Sequence, residues 1–253
     1  MGETDELVDG SENSPDVIPF ASGHGRATAV IALFAFGIIL SLVMVASDIS
    51  EFQMLTRLVN HEAVTDEQIE SNDNRQRLLG VTWLVWYLST IVAFLMWVHR
   101  AHRNLPALGA TGLEFTPRGA VGWYFVPIAN LFKPYQCMRE IYNASDPLNA
   151  SDGDQSRPDR NAPVVVKTWW ALFLIMGFFG NAVGRARLKA DTLEAYQIVA
   201  VASVIDGVVC IVATLAAIWL VRSIDRRQNE RAANLGLLPI PRFTIAESSV
   251  ARF

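Results

Sequence analysis

Four stretches of this chain run for about 20 residues with almost no charge, and that pattern excludes most soluble folds. An α-helix needs about 20 apolar residues to cross a hydrocarbon core of about 30 Å. Ala27 to Ser47 and Leu78 to Val98 contain no charged residue, Pro163 to Gly184 contains only Lys167 near its start, and Tyr196 to Val221 contains only Asp206. Composition agrees: 51% of the 253 residues are hydrophobic and 18% charged, below the roughly 25% charge of an ordinary soluble domain. The expected fold is all-α, an integral membrane four-helix bundle.

The runs divide the chain into regions of different character. Residues 1–25 carry six acids and no Lys or Arg, as expected of a solvated, disordered tail. Residues 26–234 form the expected membrane domain, and 235–253 a second tail. Both tails share one side, because the number of crossings is even. The flanks of the tails and of the long central loop hold 15 Lys and Arg against six in the other two loops, so the positive-inside rule places the tails and central loop in the cytoplasm. A cleaved signal peptide would have a basic leader and a shorter apolar core. Cys137 and Cys210 are the only cysteines, which excludes a disulfide framework.

Local signals refine the connections. Thr65 and Gln68 have capping-box spacing, predicting a helix from about Asp66 into the second run. In the central loop, Thr116 followed by Pro117 reads as N-cap and first helical residue. The next 14 uncharged residues, Gly119 to Phe132, are too short to span and too apolar for a free loop. Their rings, Trp123, Tyr124 and Phe125, followed by Tyr135, suit the headgroup level. An interfacial amphipathic segment over about 117–143 is expected, in two helical pieces broken near Pro127. Residues 145–162 are polar and turn-rich, as in a flexible linker.

The sequences HRAHRNLPALGA and FTPRGAVGWYFVPIANLFKPYQCMREIYNAS resemble the bacterial domain-of-unknown-function family numbered 4328. The similarity is carried by Arg100, Asn104, Pro117, Trp123, Pro127, Asn130, Pro134, Tyr135, Arg139 and Glu140, with Trp169-Trp170 opening the third run, and is read from Ala27 to about Arg227. It implies a multi-pass bacterial membrane protein and supplies no activity or catalytic residue; the expected location is the bacterial inner membrane.

Among single residues Asp206 is the most informative. It lies about ten residues inside the last run, near the midplane, where an ionised carboxylate is costly and so faces the bundle interior. Ser203, Asp206, Cys210, Ala213 and Ala217 fall on one helical stripe of small and polar side chains, and Asn181 marks a Gly-rich face of the third run. His99 and His102 are spaced three apart, yet with Arg100 and Arg103 around them and no third ligand they read as an interfacial basic cluster. No catalytic motif, metal pattern or phosphate loop is present. No cofactor, metal or nucleic acid is expected; membrane lipids are, and a protein partner at the cytoplasmic face.

The favoured function is therefore a non-enzymatic membrane module that binds a partner or lipid through Arg100, Asn104, Trp123, Pro127, Asn130, Lys133, Tyr135, Arg139 and Glu140. The alternative is a small transporter or channel using Asp206, with Ser203 and Asn181 near it. A third, a membrane-embedded enzyme, would need His99, His102, Glu140 and Asp206 to converge, and their inferred depths separate them. The nine bases Arg100, Arg103, Arg118, Lys133, Arg139, Arg222, Arg226, Arg227 and Arg231 are candidates to meet anionic headgroups.

Overall fold

The computed structural model describes residues 19–150 and 163–238. The acidic tail through residue 18, most of the proposed linker and the last 15 residues lie outside them. Six α-helices and short 3-10 turns make up the described chain, with no strand among the described residues: α1 (His24–Val59), α2 (Asp66–Arg103), α3 (Pro117–Gly122), α4 (Lys133–Ala144), α5 (Val164–Lys189) and α6 (Leu193–Asn234). The long helices α1, α2, α5 and α6 contain the four apolar runs and are long and apolar enough to cross a membrane. They form a four-helix bundle. Each outlasts its run; α6 continues 13 residues past Val221.

The predicted caps set the helix starts. Thr65 accepts from the Gln68 amide at 3.3 Å while the Gln68 side chain accepts from the Thr65 amide at 3.2 Å, so α2 begins at Asp66 with two otherwise orphaned donors satisfied. Thr116 caps Gly119 at 3.0 Å, with Pro117 as the first residue of α3. The central segment departs from the expected two pieces. After six α-helical residues the chain tightens into 3-10 turns at Trp123–Phe125 and Ile128–Leu131, on either side of Pro127, before α4. Pro127 has no N–H to continue the first turn and disfavours helical backbone at Val126, which is extended.

Contact between helices follows the small residues. The most extensive pair is α1 with α6, followed by α5 with α6 and α1 with α2. Buried positions on α1, including Val30, Gly37, Ser41, Asp48 and Leu55, recur at helical spacing and form its inward stripe. Gly37 lets the Trp86 ring lie against the α1 backbone: a Cβ there would stand 2.1 Å from Trp86 Cζ2, and the Trp86 indole donates to the Leu33 carbonyl at 2.8 Å. Gly207 does the same for Val45 at the α1–α6 crossing. The four long helices share one buried core through Val30, Trp97, Trp169 and Leu220, yet most of their apolar surface stays outside it. At most 28% of any helix's most apolar window is buried, and Ile39, Val85, Val92, Ile198 and Val208 point outward. This inside-out surface fits helices solvated by lipid rather than water.

Candidate functional site

The central connection is held by a latch of buried polar groups. Leaving α2 at Asn104, the chain turns through Leu105 and Leu108, both fully buried. Gly109 and Gly112 adopt φ of +81° and +65°, conformations that cost little only for glycine. Glu140 of α4 then collects three elements on one carboxylate: it accepts from the Glu114 and Phe115 amides and lies 3.0 Å from His102 Nε2 of α2. Lys133 pairs with Glu114 at 3.3 Å above the Phe115 ring. His102 is thus a buried partner of Glu140 rather than part of an exposed basic cluster, and those two residues meet although their inferred depths had separated them.

The last helix closes the same region from below. The Arg231 guanidinium, only 2% exposed, donates to the carbonyls of Leu108, Ala144 and Asp146 at 2.7, 2.9 and 3.1 Å. It caps the end of α4 and is withdrawn from the surface, against its place among the headgroup-facing bases. Gln228 donates to the Ala101 carbonyl at 2.8 Å and to Ser145 at 3.2 Å. Asn104, also buried, donates to the Ala21 carbonyl at 3.0 Å, which Arg100 shares at 3.1 Å. Arg227 stacks over Tyr142 at 4.2 Å and pairs with Asp146 at 3.2 Å. The linker expected from residue 145 therefore begins later, because Ser145 and Asp146 are anchored and Pro147–Ala150 forms a 3-10 turn.

This latch presents an apolar edge. Phe125, Ile128 and Phe132 are 69%, 79% and 58% exposed, with Val126 and Pro127 exposed between them. The opposite side of the segment enters the core: Tyr124 meets Phe94 edge-on at 6.2 Å, and Phe94 also packs on Trp169. Trp123 and Tyr135 are partly buried against that core, Arg139 is half-exposed, and Asn130 turns a buried oxygen inward. Burial pushes the Tyr124 phenol well above its usual range, helped by Cys137 beside it. It pushes the Cys137 thiol up to about 12, with Glu140 and Glu114 adding to the effect.

A second polar cluster lies toward the other end of the bundle. Arg187 of α5 reaches Glu51 at 3.3 Å, Asp48 at 3.7 Å and Ser203 at 3.5 Å. Glu51 also accepts from Gln76 of α2 at 3.0 Å, so one guanidinium and one carboxylate join all four long helices. Asp206 faces α5, its Oδ1 3.4 Å from a Cβ position at Gly180 and without a hydrogen-bond partner among the described residues. Asn181 does not join this group; it is exposed and bonds back to Gly177 of its own helix. The sequence reading missed Asp48, Glu51 and Arg187, whose convergence depends on α5 running helically to Lys189.

A family model for a domain of unknown function, DUF4328, matches residues 60–226 of this chain. The chain belongs to the DUF4328 family. The match begins one residue after α1 ends, later than the expected Ala27, and stops before Gln228 and Arg231. The DUF4328 match therefore contains Asn104, Glu140 and the whole broken segment, while α1 and the Arg231 clamp are outside it. No curated protein and no solved structure matches the chain. Within the DUF4328 residues, Arg100, Asn104 and Glu140 build the latch, and the apolar edge is what the latch holds outward.

Proposed function

We propose that this is a bacterial inner-membrane protein that crosses the bilayer four times with both ends in the cytoplasm, and that it works as a non-enzymatic module. Its broken central segment would lie in the cytoplasmic headgroup layer, where it binds lipid and offers a surface to a protein partner. The observation that carries this reading is the exposed edge of Phe125, Ile128 and Phe132, 58% to 79% exposed on a segment fixed from behind. In water such an edge would cost about 25 cal/mol per Å² of apolar surface, whereas in the interface it is a favourable anchor. The latch supports a binding role over a catalytic one, since the Glu140 carboxylate and His102 Nε2 are engaged in holding the connection together. Depth-dependent quenching tests the reading. A fluorophore on Ile128→Cys in nanodiscs should be quenched by lipids brominated near the headgroup, and equal quenching by an aqueous quencher alone would refute it.

A second reading, transport through Asp206, is favoured by the unpartnered Oδ1 beside Gly180 and by the neighbouring Arg187, Ser203 and Asp48. Asp206→Asn keeps the volume and removes the charge. Proton or cation flux in proteoliposomes that Asp206→Asn abolishes, with folding intact, would establish it; the module reading predicts no flux in either protein.

A further inference from the structure

Five basic side chains from three helices gather where α1 begins and α2 ends, with no ion-pair partner among the described residues. Arg26 immediately precedes the first apolar run, His99 and Arg100 immediately follow the second, Arg103 ends α2, and Arg118 is the second residue of α3. Arg100, Arg103 and Arg118 all lie within Coulombic range of His99, and Arg26 and Arg103 within range of Arg100. None of the five forms an ion pair among the described residues. Of the other bases described on this face, Lys133 is paired with Glu114, Arg226 with Glu230 and Arg227 with Asp146, and Arg231 is buried. Arg139, Lys167 and Arg222 form no ion pair among the described residues but are not among the charges that act on His99 or Arg100. Arg26, Arg103 and Arg118 are exposed, and Arg100 is steered by its bond to the Ala21 carbonyl.

Placing like charges together is unfavourable unless an anion joins them. Guanidinium groups offer forked donors that match phosphate oxygens, and the ends of two apolar runs set these groups at headgroup depth. The geometry points to a binding site for the phosphate of an anionic phospholipid, formed by Arg26, Arg100, Arg103 and Arg118 beside the apolar edge of the central segment. The acyl chains would lie along the outward faces of α1 and α2. The site rests on the membrane reading above and names its ligand.

Spin-labelled phosphatidylglycerol and phosphatidylcholine, added to the full chain in phosphatidylcholine nanodiscs, measure selectivity as the ratio of their motionally restricted fractions. The wild type should prefer phosphatidylglycerol. Each of Arg26→Gln, Arg103→Gln and Arg118→Gln should reduce the preference about fivefold, and Arg103→Lys should retain most of it. Lys167→Gln, which removes an exposed base of the same face outside the cluster, should leave it nearly unchanged. An equal loss with that change would mean a diffuse positive face and overturn the site. Displacement by millimolar inorganic phosphate would assign it to a soluble phosphate compound instead. Preference that emerges only after the acids of residues 1–16 are changed to amides would make the chain's own leader the occupant, and would also overturn it. If Ile128→Cys still reports headgroup depth while selectivity is absent, this inference fails and the membrane reading stands.

Discussion

Replacing Glu140 by Ala should do more damage than its partly exposed position on a short helix suggests. The carboxylate accepts two backbone N–H groups, from Glu114 and Phe115, and contacts His102, whose side chain is 1% exposed. Hydrogen bonds to a charged group contribute about 1.5–3 kcal/mol each in buried settings. Glu140 keeps 16% of its side chain in solvent, so about 1 kcal/mol for each of the three is the sounder figure. The orphaned imidazole nitrogen adds a desolvation cost of about 1 kcal/mol, giving about 3–4 kcal/mol for Glu140→Ala. Glu140→Gln retains one acceptor but sets its NH2 against a backbone donor or the His102 ring, and should cost about half as much. Unfolding in mixed micelles, followed by tryptophan fluorescence, measures both against Arg139→Ala, the neighbouring change at a half-exposed side chain that makes no hydrogen bond or ion pair among the described residues. Headgroup quenching at Ile128→Cys should fall along with stability, because the latch sets the segment's position. If Glu140→Ala and Arg139→Ala unfold within about 0.5 kcal/mol of each other, the carboxylate does not organise the connection.

Two further outcomes test the packing. Gly37→Ala drives a methyl into Trp86 and should break the indole's bond to Leu33, costing about 2–4 kcal/mol; adding Trp86→Phe should restore part of it, and full additivity in the double-mutant cycle would refute the contact. Cys137, with its thiol pushed up to about 12 and its side chain buried, should resist maleimide in a Cys210→Ala background, its thiolate being about a thousandfold scarcer than that of a free cysteine near pH 8. The raised value also fixes the sign of the pH effect. The unfolded thiol loses its proton near pH 8.5 to 9 while the folded one keeps it, so this group's contribution is intact at neutral pH and declines by about 1.4 kcal/mol per pH unit above pH 9. Rapid labelling of folded protein would contradict the burial.

Much of the architecture was legible because its signals are local. Run length and absence of charge identify the four long helices, and Thr65 with Gln68 and Thr116 with Pro117 mark helix starts to the residue. Pro127 locates the break but not the form of the pieces, since the choice of 3-10 over α backbone depends on how Tyr124 turns into the aromatic core. The latch was half visible. The family motif singled out Arg100, Asn104 and Glu140, yet their inward role arises from partners far along the chain, 38 residues away for His102 with Glu140 and 124 for Asn104 with Gln228. Arg231 was misread for the same reason: a charge count treats every base as surface, and only the approach of three carbonyl oxygens from α4 and its neighbours makes a buried guanidinium favourable. Arg187 lay three residues past the end of its apolar run, where run counting stops but the helix does not.

The central claim, a chain that crosses the membrane four times with its broken segment confined to one face, is tested most directly by cysteine accessibility in intact cells. Single cysteines at His61, Thr111 and Leu148, placed in a Cys137→Ala, Cys210→Ala background, are challenged with a membrane-impermeant maleimide before and after permeabilisation. The account predicts that His61→Cys reacts from outside, while Thr111→Cys and Leu148→Cys react only once the cytoplasm is opened. Reaction of Thr111→Cys and Leu148→Cys from opposite faces would show that the segment crosses, and the four-span account would be wrong.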